Sequence, residues 1–303
     1  MADCYPGAHV TQSTLPPPWD TWLKEAFING VLPDKIVEML YNEGFTPAQL
    51  QKAMGSRYPD NISLRETAAF YKKAAEPGFL ERKDRRQVKQ YANVPLFTVD
   101  DVFSEQECSQ IASIALSQLA PSRIVAEQTG EFARFRTSQT CFMQRTKDPF
   151  VDVIEDRLWE LVSPQVGGCE TVQAQYYQEG GEFKPHCDFF APGSESYKKL
   201  GRSGGQRTWT CMVYIKAPVS GGETVFTEWD ISITPKAGMA VIWNNLYPDG
   251  QVNFKTKHHA MPVLAGEKLI LTKWFRIRKY NQNQRVRNNG KRTSKPVAHY
   301  LNR

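Results

Sequence analysis

The sequence has few of the residues that mark several common protein classes. Six cysteines occur in 303 residues and none forms a CxxC pair, which argues against a zinc ribbon or a small disulfide framework and favours reduced thiols. No run of about 18 apolar residues could span a bilayer, and the N-terminal MADCYPGAHV lacks the basic and apolar parts of a signal peptide. We therefore expect a cytoplasmic protein without a membrane partner.

Acidic residues are missing from the C-terminal end of the chain. From Lys273 to Arg303 there are ten Lys or Arg and no Asp or Glu, so the preceding residues carry 6 − 10 = −4 of the net charge of +6. Residues 281–303 are polar and are predicted to form a basic, solvated tail. Neither interleaved aromatic residues nor a recognised nucleic-acid-binding motif accompanies this charge, so no nucleic-acid partner is expected.

Helix signals dominate the N-terminal part. Residues 1–16 are predicted to be a flexible N-terminus, and residues 17–90 a helical extension with a linker. The extension is expected to pack on the next domain or to bind a substrate or partner. Within it we predict helices from Trp19 to Asn29, from Pro33 to Gly44, after a capping box at Thr46, and over 62–75.

Residues 91–280 are predicted to form the main domain. A strand over 94–99 and two helices, starting after Ser104 and Asp148, precede short β-rich runs separated by turn residues. This rhythm favours a mainly β fold with flanking helices, a double-stranded β-helix or jelly roll. The Gly- and Ser-rich segment 191–205 is predicted to be a mobile loop that becomes ordered when substrate binds. The runs are 171–177, 183–188, 208–216, 223–227, 231–234, 239–243 and 269–277.

Histidine is scarce, which narrows the search for a metal site. His186 and Asp188 stand two residues apart in FKPHCDFF, so on a strand both side chains point to the same face. With a second imidazole they would complete the facial triad of non-haem Fe(II) oxygenases, which leaves coordination positions open for chemistry. Because the chain has only five histidines, His258 and His259 are the obvious candidates for that imidazole.

The blocks around these residues resemble the prolyl 4-hydroxylase branch of the 2-oxoglutarate- and Fe(II)-dependent dioxygenases. In that family the second ligand histidine is followed four positions later by proline and ten positions later by lysine. Pro262 and Lys268 therefore imply His258, with His259 on the other face of its strand. The resembling blocks follow the family's order: FRTSQTCFM from 135, VQAQYYQEGGEFKPHCD from 172, GQRTWTCMVYI from 205, GGETVF from 221 and TKWFRI from 272.

The resemblance also implies roles for other residues. His186, Asp188 and His258 are the expected Fe(II) ligands, and Lys268 is expected to bind the far carboxylate of 2-oxoglutarate, since a buried ammonium needs a compensating anion. By position, Tyr177 and Thr210 resemble hydroxyl donors to that carboxylate, and Trp274 a wall of the cosubstrate site. Three further residues are candidates to face the substrate: Arg207, Tyr214 and Trp243.

The implied function is hydroxylation of an unactivated C–H bond, coupled to conversion of 2-oxoglutarate and O2 to succinate and CO2, with ascorbate (vitamin C) as reductant. The substrate is a proline-like or other amino-acid residue, either free or within a peptide. Two alternatives are a dioxygenase that dealkylates nucleic acid and a non-catalytic jelly-roll binding protein. The sequence does not indicate an oligomeric state.

Overall fold

The computed structural model describes residues 15–78, 88–91, 93–121 and 137–279. Three predicted segments lie outside these residues: the N-terminus before residue 15, most of the charged linker, and the basic tail. Six helices of eight residues or more are found in the described part: α1 Pro17–Ile28, α2 Pro33–Asn42, α3 Pro47–Met54, α4 Ala68–Ala75, α5 Glu105–Leu116 and α6 Phe150–Val162. No helix among these residues is long and apolar enough to cross a membrane.

All strand pairings in the described residues are antiparallel. The larger of the two main sheets has the order β1-β2-β12-β8-β15-β6-β4-β3, with β5 paired to β15, the smaller main sheet has the order β11-β10-β13-β7, and β9 and β14 form a separate two-stranded sheet. The strands are β1 Val88–Gln90, β2 Leu96–Val99, β3 Ala120–Pro121, β4 Gln139–Phe142, β5 Gly168–Cys169, β6 Gln173–Tyr177, β7 Phe183–His186, β8 Arg207–Lys216, β9 Ser220–Gly221, β10 Thr224–Phe226, β11 Ile231–Ile233, β12 Ala240–Asn244, β13 His258–Ala260, β14 Val263–Ala265 and β15 Lys268–Arg276.

These two sheets and their flanking helices confirm the mainly β, jelly-roll prediction. One face of the larger sheet packs against α5 and α6 in a core that includes Ile111, Leu158 and Phe275. The other face turns inward to a second apolar cluster, which includes Phe226 on the smaller sheet and Trp243 on the larger one. Alternate residues of the central strands therefore serve two cores, which explains why β8 and β15 are buried along almost their whole length.

Polar side chains at the helix starts behave largely as the sequence predicts. Thr46 and Gln49 form a reciprocal capping box before α3, and Ser104 and Glu107 form another before α5. The prediction of a helix over 62–75 is wrong in its first half. The Thr67 side chain accepts a hydrogen bond from the Phe70 N–H, so α4 begins only at Ala68.

The helical extension packs directly on the main domain. The carbonyl of Ala74, at the end of α4, accepts a hydrogen bond from Trp209 Nε1 on β8 at 3.0 Å, and the Ala75 carbonyl accepts one from Asn244 on β12 at 3.2 Å. Segment 191–205, predicted to be a mobile loop, contains the helical turns Tyr197–Gly201 and Arg202–Gly204, and the Tyr197 side chain is buried. Ordering by substrate remains a prediction.

Candidate metal centre and cosubstrate cavity

Two adjacent strands bring the predicted ligands together. Strands β7 and β13 pair antiparallel with His258 opposite His186, and Asp188 follows β7 by two residues. One donor atom from each of His186, Asp188 and His258 lies within 4.8 Å of the other two, and all three residues are buried. Among the described residues this is the one such cluster of histidine, cysteine and acidic side chains. Its donor set is the one that suits non-haem Fe(II).

Backbone carbonyls orient both imidazoles. His186 Nδ1 lies 2.8 Å from the Lys184 carbonyl oxygen, and His258 Nδ1 lies 2.9 Å from that of Thr256. A carbonyl can only accept a hydrogen bond, so each Nδ1 donates, and in the neutral imidazole the lone pair then lies on Nε2. The His186 Nε2 lies 3.8 Å from Asp188 Oδ1. The three donor atoms therefore face a common point, which is the arrangement that a metal ion requires.

Asp188 is held as a carboxylate despite its burial. Burial alone would raise the pKa of its side chain, but the neighbouring His258, His186 and Arg207 outweigh that effect and the pKa lies below its ordinary value. The Thr210 hydroxyl donates to Asp188 Oδ2 at 2.9 Å and accepts a hydrogen bond from the Asn245 amide at 2.9 Å. Oδ2 is thereby satisfied, while Oδ1 remains directed at the imidazoles.

Lys268 lies in the same cavity as the three candidate ligands, although it begins a different strand. It pairs with Tyr177 across β15 and β6, its ammonium lies 4.5 Å from the centre of the Tyr177 ring, and it donates to the Gly222 carbonyl at 2.9 Å. Burial lowers the pKa of Lys268 to about 8. The cavity is lined by Gln175, Tyr177, Phe183, His186, Asp188, Met212, Thr224, Trp243, His258, Ala260, Lys268, Ile270, Thr272 and Trp274.

This lining includes some of the other predicted site residues and not all of them. Tyr177, Trp243 and Trp274 reach the cavity, whereas Thr210 and Tyr214 do not line it. The Tyr177 hydroxyl donates to Gln175 Oε1 at 3.0 Å, and the Trp243 ring lies 4.9 Å from that of His258. Trp243 therefore packs against the candidate metal centre itself.

Three predicted roles need to be restated from their contacts. Thr210, expected at the cosubstrate carboxylate, bonds instead to Asp188. Tyr214, expected to face substrate, is fully buried with its hydroxyl 2.6 Å from Thr224 Oγ1. Arg207 forms two hydrogen bonds of 2.7 Å to the Glu170 carboxylate and one of 3.1 Å to the Asp188 carbonyl. These contacts are made within the chain itself, and the predicted cosubstrate and substrate roles of the three residues stay predictions.

His259 lies on the opposite face of β13, as expected if His258 is the ligand. Its Nε2 lies 2.9 Å from the Glu182 carboxylate, outside the cluster of candidate ligands. Seven of the fourteen cavity residues were not singled out from the sequence, and Phe183 and Thr224 are two of them. Phe183 stacks on the His186 ring with 3.6 Å between centroids, and Thr224 stands within the GGETVF block without a distinguishing pattern. Only the position of Thr224 in that block offered a signal.

Comparison with known proteins agrees with the donor set. The family model described as the 2OG-Fe(II) oxygenase superfamily matches residues 172–276, which contain all three candidate ligands and Lys268. The matched region is similar to 2OG-Fe(II) oxygenases, and the sequence resembles that of prolyl 4-hydroxylases.

Two relatives illustrate this similarity, and one solved structure also matches the chain. The chain is 33% identical to prolyl 4-hydroxylase subunit alpha-1 of Gallus gallus over 181 residues, which are 59% of this chain and 35% of the relative. It is 30% identical to prolyl 4-hydroxylase 5 of Arabidopsis thaliana over 198 residues, which are 58% of this chain and 66% of that protein. The chain thus spans about a third of the length of the animal relatives.

The solved structure is the viral collagen prolyl hydroxylase of Paramecium Bursaria Chlorella virus-1 in complex with 2OG. The match has a TM-score of 0.48 and 25% sequence identity, and it covers 61% of this chain and 97% of the viral one.

Proposed function

We propose that the chain is an Fe(II)-dependent oxygenase that uses 2-oxoglutarate and O2 to hydroxylate an unactivated C–H bond. His186, Asp188 and His258 are the proposed Fe(II) ligands. The observation that carries the proposal is the presence of two oriented Nε2 atoms, one carboxylate and the buried ammonium of Lys268 in a single cavity. This combination supplies a metal triad and a fixed cation for a dianionic cosubstrate.

The chain's own residues position the reactants. When bound, iron and 2-oxoglutarate would supply the oxidising power, with succinate and CO2 as products. Lys268 would bind the distal carboxylate, and Tyr177 and Trp274 would form walls of that pocket, with Thr224 beside them. Thr210 would hold Asp188 in its coordinating orientation. We propose ascorbate as the reductant that restores Fe(II), which predicts fewer turnovers per chain when ascorbate is omitted.

We propose a prolyl residue within a peptide as the first substrate to test, because the relatives are prolyl 4-hydroxylases. Free proline, or another amino acid, is the second. We propose that Trp243 and Arg207 face the substrate. Trp243 lines the cavity, and the Arg207 guanidinium lies 4.0 Å from the centre of the Trp274 ring. For location, we propose a reducing compartment such as the cytoplasm, since the sequence has no CxxC pair and no small disulfide framework.

The test is succinate formation by the anaerobically reconstituted Fe(II) protein after addition of O2 and 2-oxoglutarate. Proline-containing peptides are compared with free proline and its homologues. Stimulation above the substrate-free background supports the proposal and identifies the substrate class. Asp188→Ala should abolish both background and stimulated succinate formation, whereas His259→Ala, which alters the opposite face of β13, should retain both. Iron-bound protein that forms no succinate at all would contradict the proposal.

Two alternatives predict different results in the same samples. A nucleic-acid dealkylase would bind duplex DNA with an affinity that falls steeply with salt. Lys268 argues against it, because related dealkylases usually bind 2-oxoglutarate through arginine. A non-catalytic jelly-roll protein would not bind Fe(II) at all.

A further inference from the structure

The helical module, residues 17–78, contacts the stretch of chain that follows the candidate ligand Asp188. We call that stretch, residues 189–206, the post-ligand segment. The Tyr197 ring of this segment is buried between two glycines, one from each side of the contact. A Cβ atom placed on Gly44 of the helical module would lie 2.6 Å from the ring, and one placed on Gly201 would lie 2.5 Å from it. Only hydrogen atoms fit at these two positions.

A second aromatic residue makes the reciprocal contact. Trp19, on α1 of the helical module, covers Gly193 of the post-ligand segment so closely that a Cβ there would lie 2.1 Å from the indole nitrogen. The Gly193 N–H donates to the Glu43 carbonyl at 2.7 Å. Each side thus presents an aromatic ring to a glycine of the other. This complementarity distinguishes the contact from a loop that rests on a neighbouring surface.

Charged side chains hold both edges of the contact. Arg202 of the post-ligand segment bonds to the Glu43 carboxylate at 2.6 Å. Arg278, just after β15, forms two hydrogen bonds of 2.6 and 2.9 Å to the Glu66 carboxylate, which is buried, and its N–H donates to the Gly204 carbonyl at 3.0 Å. The Tyr41 hydroxyl also donates to Glu66. Bidentate pairs of this kind fix orientation as well as distance.

The post-ligand segment transmits this contact to the candidate metal centre through its two ends. Phe190 N–H donates to Gln206 Oε1 at 3.0 Å, and the Gln206 amide donates back to the Phe190 carbonyl. The next residue, Arg207, donates to the Asp188 carbonyl at 3.1 Å. Within the segment, the Leu200 carbonyl accepts a hydrogen bond from Arg276 on β15 at 2.5 Å. The segment therefore begins and ends beside the same ligand.

We propose that the helical module is a built-in support for the post-ligand segment and that Tyr197 is the positioning residue which joins the two. Held in this way, the segment forms a fixed border on the substrate side of Asp188 before any substrate is present. The expectation of a loop that becomes ordered only when substrate binds is the alternative to this proposal. The structural part of the inference stands independently, whereas its catalytic consequence depends on the proposed function.

The test compares Tyr197→Ala with Tyr197→Phe in the full chain. The Phe variant keeps the ring between Gly44 and Gly201 and should behave as the wild type. Loss of the ring should increase amide hydrogen exchange across residues 191–205 about tenfold or more, with exchange in α5 and α6 unchanged. Equal exchange in the Ala variant and the wild type would overturn the inference, and this readout requires no enzymatic activity.

Kinetics separate support of the segment from general stability. The KM for the stimulating peptide or amino acid should rise about tenfold in Tyr197→Ala, while the KM for 2-oxoglutarate and the unstimulated rate stay within about twofold, since Lys268 lies on a strand outside the contact. A parallel loss of every parameter would indicate only damage to the fold and would contradict the positioning role. If the wild type shows no stimulated turnover, the proposed function fails while hydrogen exchange still decides the structural claim.

A charge reversal provides a second, milder test. Glu43→Arg and Arg202→Glu each place like charges together at the contact and should each increase exchange in residues 191–205. The double variant restores an opposite pair and should return exchange to within about twofold of the wild type. Failure of the double variant to rescue both single variants would overturn the proposed coupling.

Discussion

Replacement of Lys268 by methionine should make the folded protein more stable while it weakens 2-oxoglutarate binding. Burial lowers the pKa of Lys268 from its ordinary value of 10.5 to about 8, and each pKa unit corresponds to about 1.4 kcal/mol. The protonated side chain therefore destabilises the folded state by about 3 kcal/mol at neutral pH. Loss of its hydrogen bond to the Gly222 carbonyl offsets about 1 kcal/mol of the gain.

The net expectation is a free energy of unfolding about 2 kcal/mol higher for Lys268→Met at pH 7. Because the folded pKa lies below the unfolded one, the folded wild type holds fewer protons between about pH 8 and 10.5, and its stability rises with pH across this window. At pH 9.5 the penalty on the wild type should fall to about 1.4 kcal/mol. The advantage of the variant should therefore nearly disappear.

Urea unfolding of the metal-free proteins at pH 7 and pH 9.5 measures both effects. Addition of 2-oxoglutarate with Fe(II) under anaerobic conditions should stabilise the wild type more than the variant, because only the wild type binds the cosubstrate tightly. Two results would contradict this reasoning: a variant less stable than the wild type at pH 7, or a gain in the free energy of unfolding that does not shrink at pH 9.5. Either would show that the buried ammonium of Lys268 does not destabilise the folded protein.

Three further predictions concern the metal centre and its cosubstrate. His258→Ala should abolish stoichiometric Fe(II) binding. His259→Ala should retain it, because the His259 imidazole bonds to Glu182 and not to the metal site. Loss of iron binding only in His259→Ala would show that the wrong histidine was assigned as the ligand. Thr210→Val keeps the side-chain shape but removes the hydrogen bond to Asp188, and should weaken Fe(II) binding about tenfold, whereas unchanged affinity would exclude the supporting role. The affinity for 2-oxoglutarate should fall as pH rises above about 8, where free Lys268 loses its proton, and a flat profile from pH 7 to 9.5 would contradict a role for its charge.

The sequence predicts the sheet and helix pattern well where the local signal is strong. Alternating apolar runs correspond closely to β6, β8, β12 and β15, and capping boxes mark the starts of α3 and α5. Strand β13 is missing from the β-rich runs read from local pattern, because its three residues include two histidines and it ends two residues before Pro262; only the family resemblance placed His258 and His259 on a strand. The register of β13 is fixed by its pairing with β7 and β10. The strand preferences of its own residues do not encode that pairing.

Parts of the candidate site are equally inaccessible to sequence reasoning. The spacing of His186 and Asp188 suggests two ligands, and the structure places His258 beside them through strand pairing. The bond between Thr210 and Asp188 joins residues 22 positions apart, and no local pattern distinguishes it from a bond to a cosubstrate. The packing of Tyr197 against Gly44 is more distant still. Such contacts depend on how the surfaces of the two segments fit together. The sequence around a glycine in a turn does not predict which aromatic ring packs against it.

Anaerobic titration of the metal-free protein with Fe(II) and 2-oxoglutarate, followed by visible absorption, tests the central claim most directly. A 2-oxo acid that chelates Fe(II) produces a charge-transfer band that neither component produces alone. We expect a band that saturates at one Fe(II) per chain, that disappears in Asp188→Ala, and that requires much more 2-oxoglutarate in Lys268→Met. A wild-type protein that binds no iron, or a band unaffected by Asp188→Ala, would contradict it.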